Sequence, residues 1–246
     1  MRLPSLHGVI RRRMLINYRA DPEVTQAQLP APFRPKLHQG KAIVGICLIR
    51  LEQVRPGFTP VSLGISGEHA AHRIAVTWDD NGSEREGVYI PRRDTNSVLS
   101  RLAGGRLFPG TLHAATFDVT TGGDQIDFHM TSHDGNVSVD TQVKVAPSLP
   151  EASSFQNLAE ASAFFEAGAL GYSATVEPHR FHGMTINVPA WRVEPLAVES
   201  VYSSYFADAT RFPAGSIEFD CALLMRNLDS EWRSEADLCP QSRLAA

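Results

Sequence analysis

Lysine and cysteine are both scarce in this 246-residue chain, with three of each. Cys47, Cys221 and Cys239 are widely spaced and odd in number, and two of them stand in apolar stretches. That pattern argues against a disulfide framework and reads as buried, reduced thiols of a cytoplasmic protein. No run of about 18 apolar residues exists, so there is no candidate for a membrane-spanning helix and no membrane partner is expected. The start, Met1 to His7, has no apolar segment ahead of Arg11-Arg12-Arg13, so no signal peptide is expected. The net charge is −4 and the basic residues are scattered, which argues against a nucleic-acid partner. A Gly-x-Ser-x-Gly elbow, a P-loop and a dinucleotide fingerprint are all missing. Nine histidines include two His-x-x-His pairs, His69/His72 and His179/His182. Their flanks read as loop and strand, where positions i and i+3 diverge, and no Cys-x-x-Cys or His-Glu-x-x-His accompanies them. Neither a metal nor a cofactor is therefore expected.

What is present is a 43% hydrophobic composition, enough for a sizeable core, without repeats or a break that would cut the chain. Residues 1–246 are read as one domain. Strands are expected over Val9–Tyr18 and Lys41–Arg50, the second apolar enough to be buried on both faces. Asp21-Pro22 is set to cap a short helix over Glu23–Leu29. The Pro- and Gly-rich stretch Arg55–Gly67 reads as a long loop over a site. Arg73–Trp78 and the strand after Asn81-Gly82 form a hairpin on a type I′ turn. From Thr111 to Val145 the residues alternate: Ile126, Phe128 and Met130 share one side, Asp127, His129 and Thr131 the other. That is an antiparallel meander with one wet face. A helix over Leu158–Glu166, capped by Ser154 or Asn157, precedes further strands over Gly171–Val176, Val193–Tyr202 and Ile217–Met225. No pattern stands out after Asn227, which reads as a frayed tail. The fold class is mainly β (α+β): a large antiparallel sheet rolled into a barrel, with a few short peripheral helices.

The chemistry concentrates at Arg85-Glu86-Gly87-Val88-Tyr89-Ile90-Pro91-Arg92-Arg93-Asp94. Proline cannot donate to a ladder, so Pro91 marks a strand end or a bulge. Two adjacent guanidiniums beyond it are costly unless an anion or carboxylates neutralise them. A helix over Ser97–Leu102, capped by Thr95 or Asn96 and ended by Gly104-Gly105, is expected next. Side chains alternate in an extended segment, so only one of Arg92 and Arg93 points inward. Their planar forks suit a carboxylate, a keto acid or an enolate, or else Glu84, Glu86 or Asp94 as structural partners. Glu86 is either a general acid/base or their counter-charge. His113 is a further candidate to line the cavity.

In order and spacing, Leu15–Asp21 with the short helix ending at Pro30, then Arg85-Glu86 and Pro91-Arg92-Arg93, resemble the acetoacetate decarboxylase-like superfamily. Gly45–Arg50 with Val54-Arg55-Pro56 resembles an uncharacterised bacterial branch of it. The resemblance implies a rolled antiparallel barrel, a site inside its mouth, and a homo-oligomer. It also selects Arg92 as the inward member of the pair and Arg11 as a substrate-side arginine. In the decarboxylases the first lysine of the pair forms a Schiff base, and Arg92 occupies that place here. A guanidinium stays protonated and cannot form an imine. Of the three lysines, Lys36 and Lys41 read as solvated, and Lys144 lies on the polar face of its strand. The expected catalytic residues are Glu86 and Arg92, with Arg11, Arg19, Tyr89, Arg93 and His113 binding substrate. The expected function is an enzyme for a small carboxylate or keto compound that uses no Schiff base, with lyase, dehydratase or isomerase chemistry. The alternative is a non-catalytic organic-anion binder.

Overall fold

A computed structural model describes residues 5–57, 59, 64–102 and 108–239. In chain order the elements are β1 (Ser5–Ala20), α1 (Pro22–Ala27), β2 (Arg34–Pro35), β3 (Leu37–His38), β4 (Lys41–Arg55), β5 (Ile65–Asp80), β6 (Ser83–Thr95) and α2 (Val98–Leu102). They continue with β7 (Leu112–Gly122), β8 (Gln125–Ser132), β9 (Ser138–Val145), α3 (Leu158–Ala167), β10 (Leu170–Ala174), β11 (Phe181–Asn187), β12 (Glu194–Ser203), α4 (Ser204–Ala207) and β13 (Ile217–Ser234).

Local chemistry explains the boundaries. Asp21 Oδ1 accepts from the backbone N–H groups of Glu23 and Val24 at 2.9 and 3.0 Å, and Pro22 opens α1. Asn81 and Gly82 both take positive φ, 55° and 84°, as a type I′ hairpin between β5 and β6 requires. Asn157 caps α3 by accepting from Glu160 N at 3.0 Å, while the Glu160 carboxylate accepts from Gln156 N at 2.6 Å. Gly104-Gly105, expected to end α2, and Phe58 and residues 60–63 of the expected long loop lie outside the described residues. β13 runs seven residues past Asn227, to Ser234, because it pairs with β1 on one side and with β11 on the other. Pairing across the sheet therefore overrides a polar composition that reads as a frayed tail.

All the strands belong to one sheet, and its pairings close two circuits. The first runs β6-β7-β8-β9-β12-β13-β1-β4-β5 and back to β6; the second runs β6-β10-β11-β13-β1-β4-β5 and back to β6. The wall β13-β1-β4-β5-β6 is common to both, which is why residues 42–49 are buried on both faces, while Lys41 is exposed and Arg50 half-buried. Each side of the wall has its own apolar core, one holding Met14, Ile46, Phe128 and Leu224, the other Leu15, Cys47, Phe165 and Leu223. The sheet is mixed rather than wholly antiparallel, since β6 pairs in parallel with both β10 and β7. It pairs with β10 at Val88–Ile90 and with β7 at Arg93–Thr95, changing partner across Pro91. Gly87 permits the first of these, because a Cβ there would stand 2.3 Å from the Leu170 carbonyl oxygen.

Candidate functional site

The hand-over at Pro91 decides which arginine faces where. In the β5–β6 ladder His72 opposes Arg92 and Ile74 opposes Tyr89, so one residue of β5 spans two of β6. Ile90-Pro91 is thus a bulge, at a residue that has no N–H to lose. Unbroken alternation from Val88 and Ile90 would put Arg92 on their side. The extra residue puts Arg93 there instead, and Val88, Ile90 and Arg93 line the same cavity.

That cavity is the interior of the second circuit, and each of its seven strands contributes to the wall. Arg13 comes from β1, Cys47 and Ile49 from β4, and His69, Ala71 and Arg73 from β5. Gly171, Met184 and Trp232 come from β10, β11 and β13. The hollow measures about 70 Å³, and a second lobe of about 30 Å³ extends below Phe164 and Phe165 of α3 to Lys36. At ~10–15 Å³ per water-sized centre, this is room for a small molecule.

Three guanidiniums converge here, and none has a carboxylate partner among the described residues. Arg13 Nε donates to Cys47 Sγ at 3.2 Å, and its guanidinium lies 5.9 Å from the centre of the Trp191 ring. Arg73, only 5% exposed, donates to Asn17 Oδ1 and stacks 5.0 Å above Phe165, and its Nε has no partner. Arg93 Nε donates to Ser173 Oγ at 2.9 Å. Burial pushes both Arg73 and Arg93 down to about 10, which leaves each protonated at neutral pH. His69 is pushed down to about 3, first by burial and then by Arg93 and Arg50, so its imidazole is neutral. Concentrated positive charge, apolar walls and unspent N–H donors are chemically suited to a small anion.

The expected site residues scatter around this centre. Arg93 is in it. Arg92 turns to the other side, forking onto Asp94 (2.7 Å), which has no exposed surface, and onto Asp134 (2.8 Å). With an interior on each side of the wall, the bulge turns Arg93 into this cavity and Arg92 towards the first circuit, where its side chain is nearly buried. Arg92 and His113 do meet, since His113 Nδ1 is 3.3 Å from Asp134, whose carboxyl Arg92 holds far below the usual range. Glu86 is exposed and pairs with Lys36 at 2.7 Å. Lys36 is correspondingly less solvated than expected, lying 4.4 Å from the Phe164 ring at the edge of the second lobe. Arg11 is exposed and bound to Glu52 and Asn227. Arg19 forks between Glu218 and Asp220. Tyr89 packs among Phe33 and Phe181 in the other core, its hydroxyl pushed up to about 12 by burial. Sequence patterns do not single out Arg13, Arg73, His69 and Cys47 as a group. The available signal was a charged residue breaking an otherwise apolar strand face, as Arg73 does between Ala71 and Ala75.

A family model described as DUF2071, uncharacterized conserved protein, matches residues 9–222. No curated protein matches. Among solved structures, the chain is similar to an acetoacetate decarboxylase-like enzyme from Sphingomonas wittichii RW1, at 12% identity and a TM-score of 0.58 over 97% of this chain and 93% of the other. Acetoacetate decarboxylase from Legionella pneumophila is similar at 14% identity and a TM-score of 0.59, over 95% and 88%. The enduracididine biosynthesis enzyme MppR, in complex with pyruvate, is similar at 12% identity and a TM-score of 0.54, over 96% and 90%. At these identities the likeness is one of fold.

Proposed function

The chain belongs to the uncharacterized conserved family DUF2071, and on the strength of its acetoacetate decarboxylase-like fold we propose that it binds a small carboxylate or keto compound in the arginine-lined cavity and acts on it without a Schiff base. One observation carries the reading. Arg13, Arg73 and Arg93 point into one apolar hollow with no carboxylate among the described residues to neutralise them. An unpaired charge withdrawn from water is costly, and a site that keeps one buried guanidinium, Arg73, beside two half-buried ones, Arg13 and Arg93, is prepared for an anion. The pyruvate seen in MppR is a ligand of that class. The anion-binding role assigned to Arg92 passes in this reading to Arg93. Fixed guanidiniums in a water-poor hollow stabilise charge developing on an enolate or alkoxide, which is the largest effect such a site offers a lyase, dehydratase or isomerase. The guanidines cannot form an imine, and the one lysine at the cavity's edge, Lys36, is engaged by Glu86.

Calorimetric titration with pyruvate and other small carboxylates tests the reading, with Arg93→Gln beside the native protein. Binding that falls by about tenfold or more in Arg93→Gln is expected, as for loss of a charge-assisted pair. A native protein that takes up no small carboxylate sinks it. Borohydride reduction with a keto acid is expected to leave every lysine unmodified. Binding without turnover of any keto compound selects the organic-anion binder over the enzyme. A homo-oligomer, a cytoplasmic location and a single domain over residues 1–246 belong to the same proposal; light scattering, fractionation and limited proteolysis check them in turn.

A further inference from the structure

Cys47 stands in the middle of this cavity wall. It opposes Ala71 in the β4–β5 ladder, so His69 and Arg73 are its diagonal neighbours on the same face. Only 9% of its surface is exposed, it forms no disulfide, and its sulfur accepts the N–H of Arg13 Nε at 3.2 Å. A thiol placed only for packing has no use for a guanidinium at its sulfur. The adjacent Arg73, nearly all buried with an unsatisfied Nε, marks independently where an anionic ligand belongs. An anion held there brings its neighbouring carbon against the sulfur.

We propose that Cys47 is the nucleophile of this site, attacking the keto carbon of a carboxylate that Arg73 and Arg93 hold. This rests on the anion reading above. The attacking species is the thiolate. Its proton passes to solvent water. The sulfur then forms a bond to the keto carbon, the carbon–oxygen π pair moves onto oxygen, and that oxygen takes up a proton from water. The product is a thiohemiketal, with nothing oxidised, reduced or expelled. The thiol thereby supplies a covalent anchor for a keto group where no amine is placed to do so, and the guanidiniums neutralise the transient alkoxide.

The native protein provides the test through two reagents of nearly the same shape. Iodoacetate carries a carboxylate and iodoacetamide does not; with both, sulfur displaces iodide from carbon. The exposed Cys239 serves as an internal reference. Peptide mapping over time gives the ratio of the two rates at each cysteine. The expected ratio at Cys47 exceeds that at Cys239 by about tenfold, the size of one good charge-assisted contact. Pyruvate is expected to slow the iodoacetate reaction at Cys47 alone, and Arg73→Met to remove the preference. Equal ratios at the two cysteines overturn the proposal, as does a Cys47 inert to both reagents while Cys239 reacts. Calorimetry separates the failures. If pyruvate binds and Cys47 is inert, the nucleophile is lost and the anion site stands; if pyruvate does not bind and the ratios are equal, both are lost.

Discussion

Removing the guanidinium of Arg92 strands Asp94, which has no exposed surface and accepts from both Nε and Nη2 of that arginine. Burial pushes the Asp94 carboxyl up and the Arg92 fork pulls against it. A buried charge that loses its partner costs about 3 kcal/mol, so Arg92→Met is expected to lower the melting midpoint by on the order of 10 °C. Arg93 differs in kind. Its contact is the Ser173 hydroxyl, and no carboxylate is left behind when it goes. Replacing an unpaired buried charge by an apolar side chain of similar length is neutral or stabilising. Arg93→Met is therefore expected to hold or raise the midpoint while abolishing carboxylate binding. Thermal denaturation of the two variants side by side checks this. If Arg93→Met melts as early as Arg92→Met, Arg93 is a structural residue and the cavity loses its principal ligand. The two arginines are adjacent in sequence, and nothing in their own identities distinguishes them. Pro91 held the information, being compatible with either a strand end or a bulge, and only the pairing with β5 settles which.

Among the elements, α3 matters most to the site because Phe164 and Phe165 form the roof of the second lobe and Phe165 lies under Arg73. A ten-residue helix is marginal by itself, so its first turn depends on the Asn157 cap. Asn157→Ala is expected to cost about 1 kcal/mol in urea denaturation. Part of that cost should appear as faster amide exchange over Leu158–Phe165, with carboxylate affinity falling less than in Arg93→Gln. Affinity that falls as far as in Arg93→Gln would mean that α3 itself supplies binding contacts. Such caps, the Asn81-Gly82 turn and the alternation of β8 and β9 are local features, which is why the sequence alone locates them. β11 and the far end of β13 are strands through pairing with each other and with β10 and β1, and the parallel pairing of β6 with β10 joins Val88 to Gly171, 83 positions away in the chain. Arg13, Cys47, Arg73 and Arg93 come together only when four strands are phased against one another. A period-of-two reading of each strand by itself cannot supply that phase.

Across the whole molecule, the two circuits share a wall whose strand β5 carries a desolvated histidine on each side. His69 faces the arginine cavity, and His72 faces the other core, against Tyr205 and hydrogen-bonded to Ser203 at 3.0 Å. Burial, reinforced by nearby arginines, brings each down to about 3. In the unfolded chain both return to about 6.5. Above that value neither state is protonated at these positions and pH has no leverage through them. Below it the unfolded chain takes up protons that the fold refuses, so stability is lost as pH falls from about 6.5 towards about 3. The limiting slope is about 1.4 kcal/mol per pH unit for each histidine. Asp134, ionised in the fold by Arg92, adds to the loss below its unfolded value near 4. Glu68 and Asp94 are shifted upward by burial and act in the opposite sense, but each is opposed by its own arginine, whereas no carboxylate among the described residues supports either histidine. Melting midpoints measured from pH 7.5 to 4.5 are therefore expected to fall steadily below about 6.5, and His72→Gln, which can still reach Ser203, to flatten the fall. A double variant with His69→Gln whose profile stays as steep as the native one would place the acid sensitivity elsewhere in the protein.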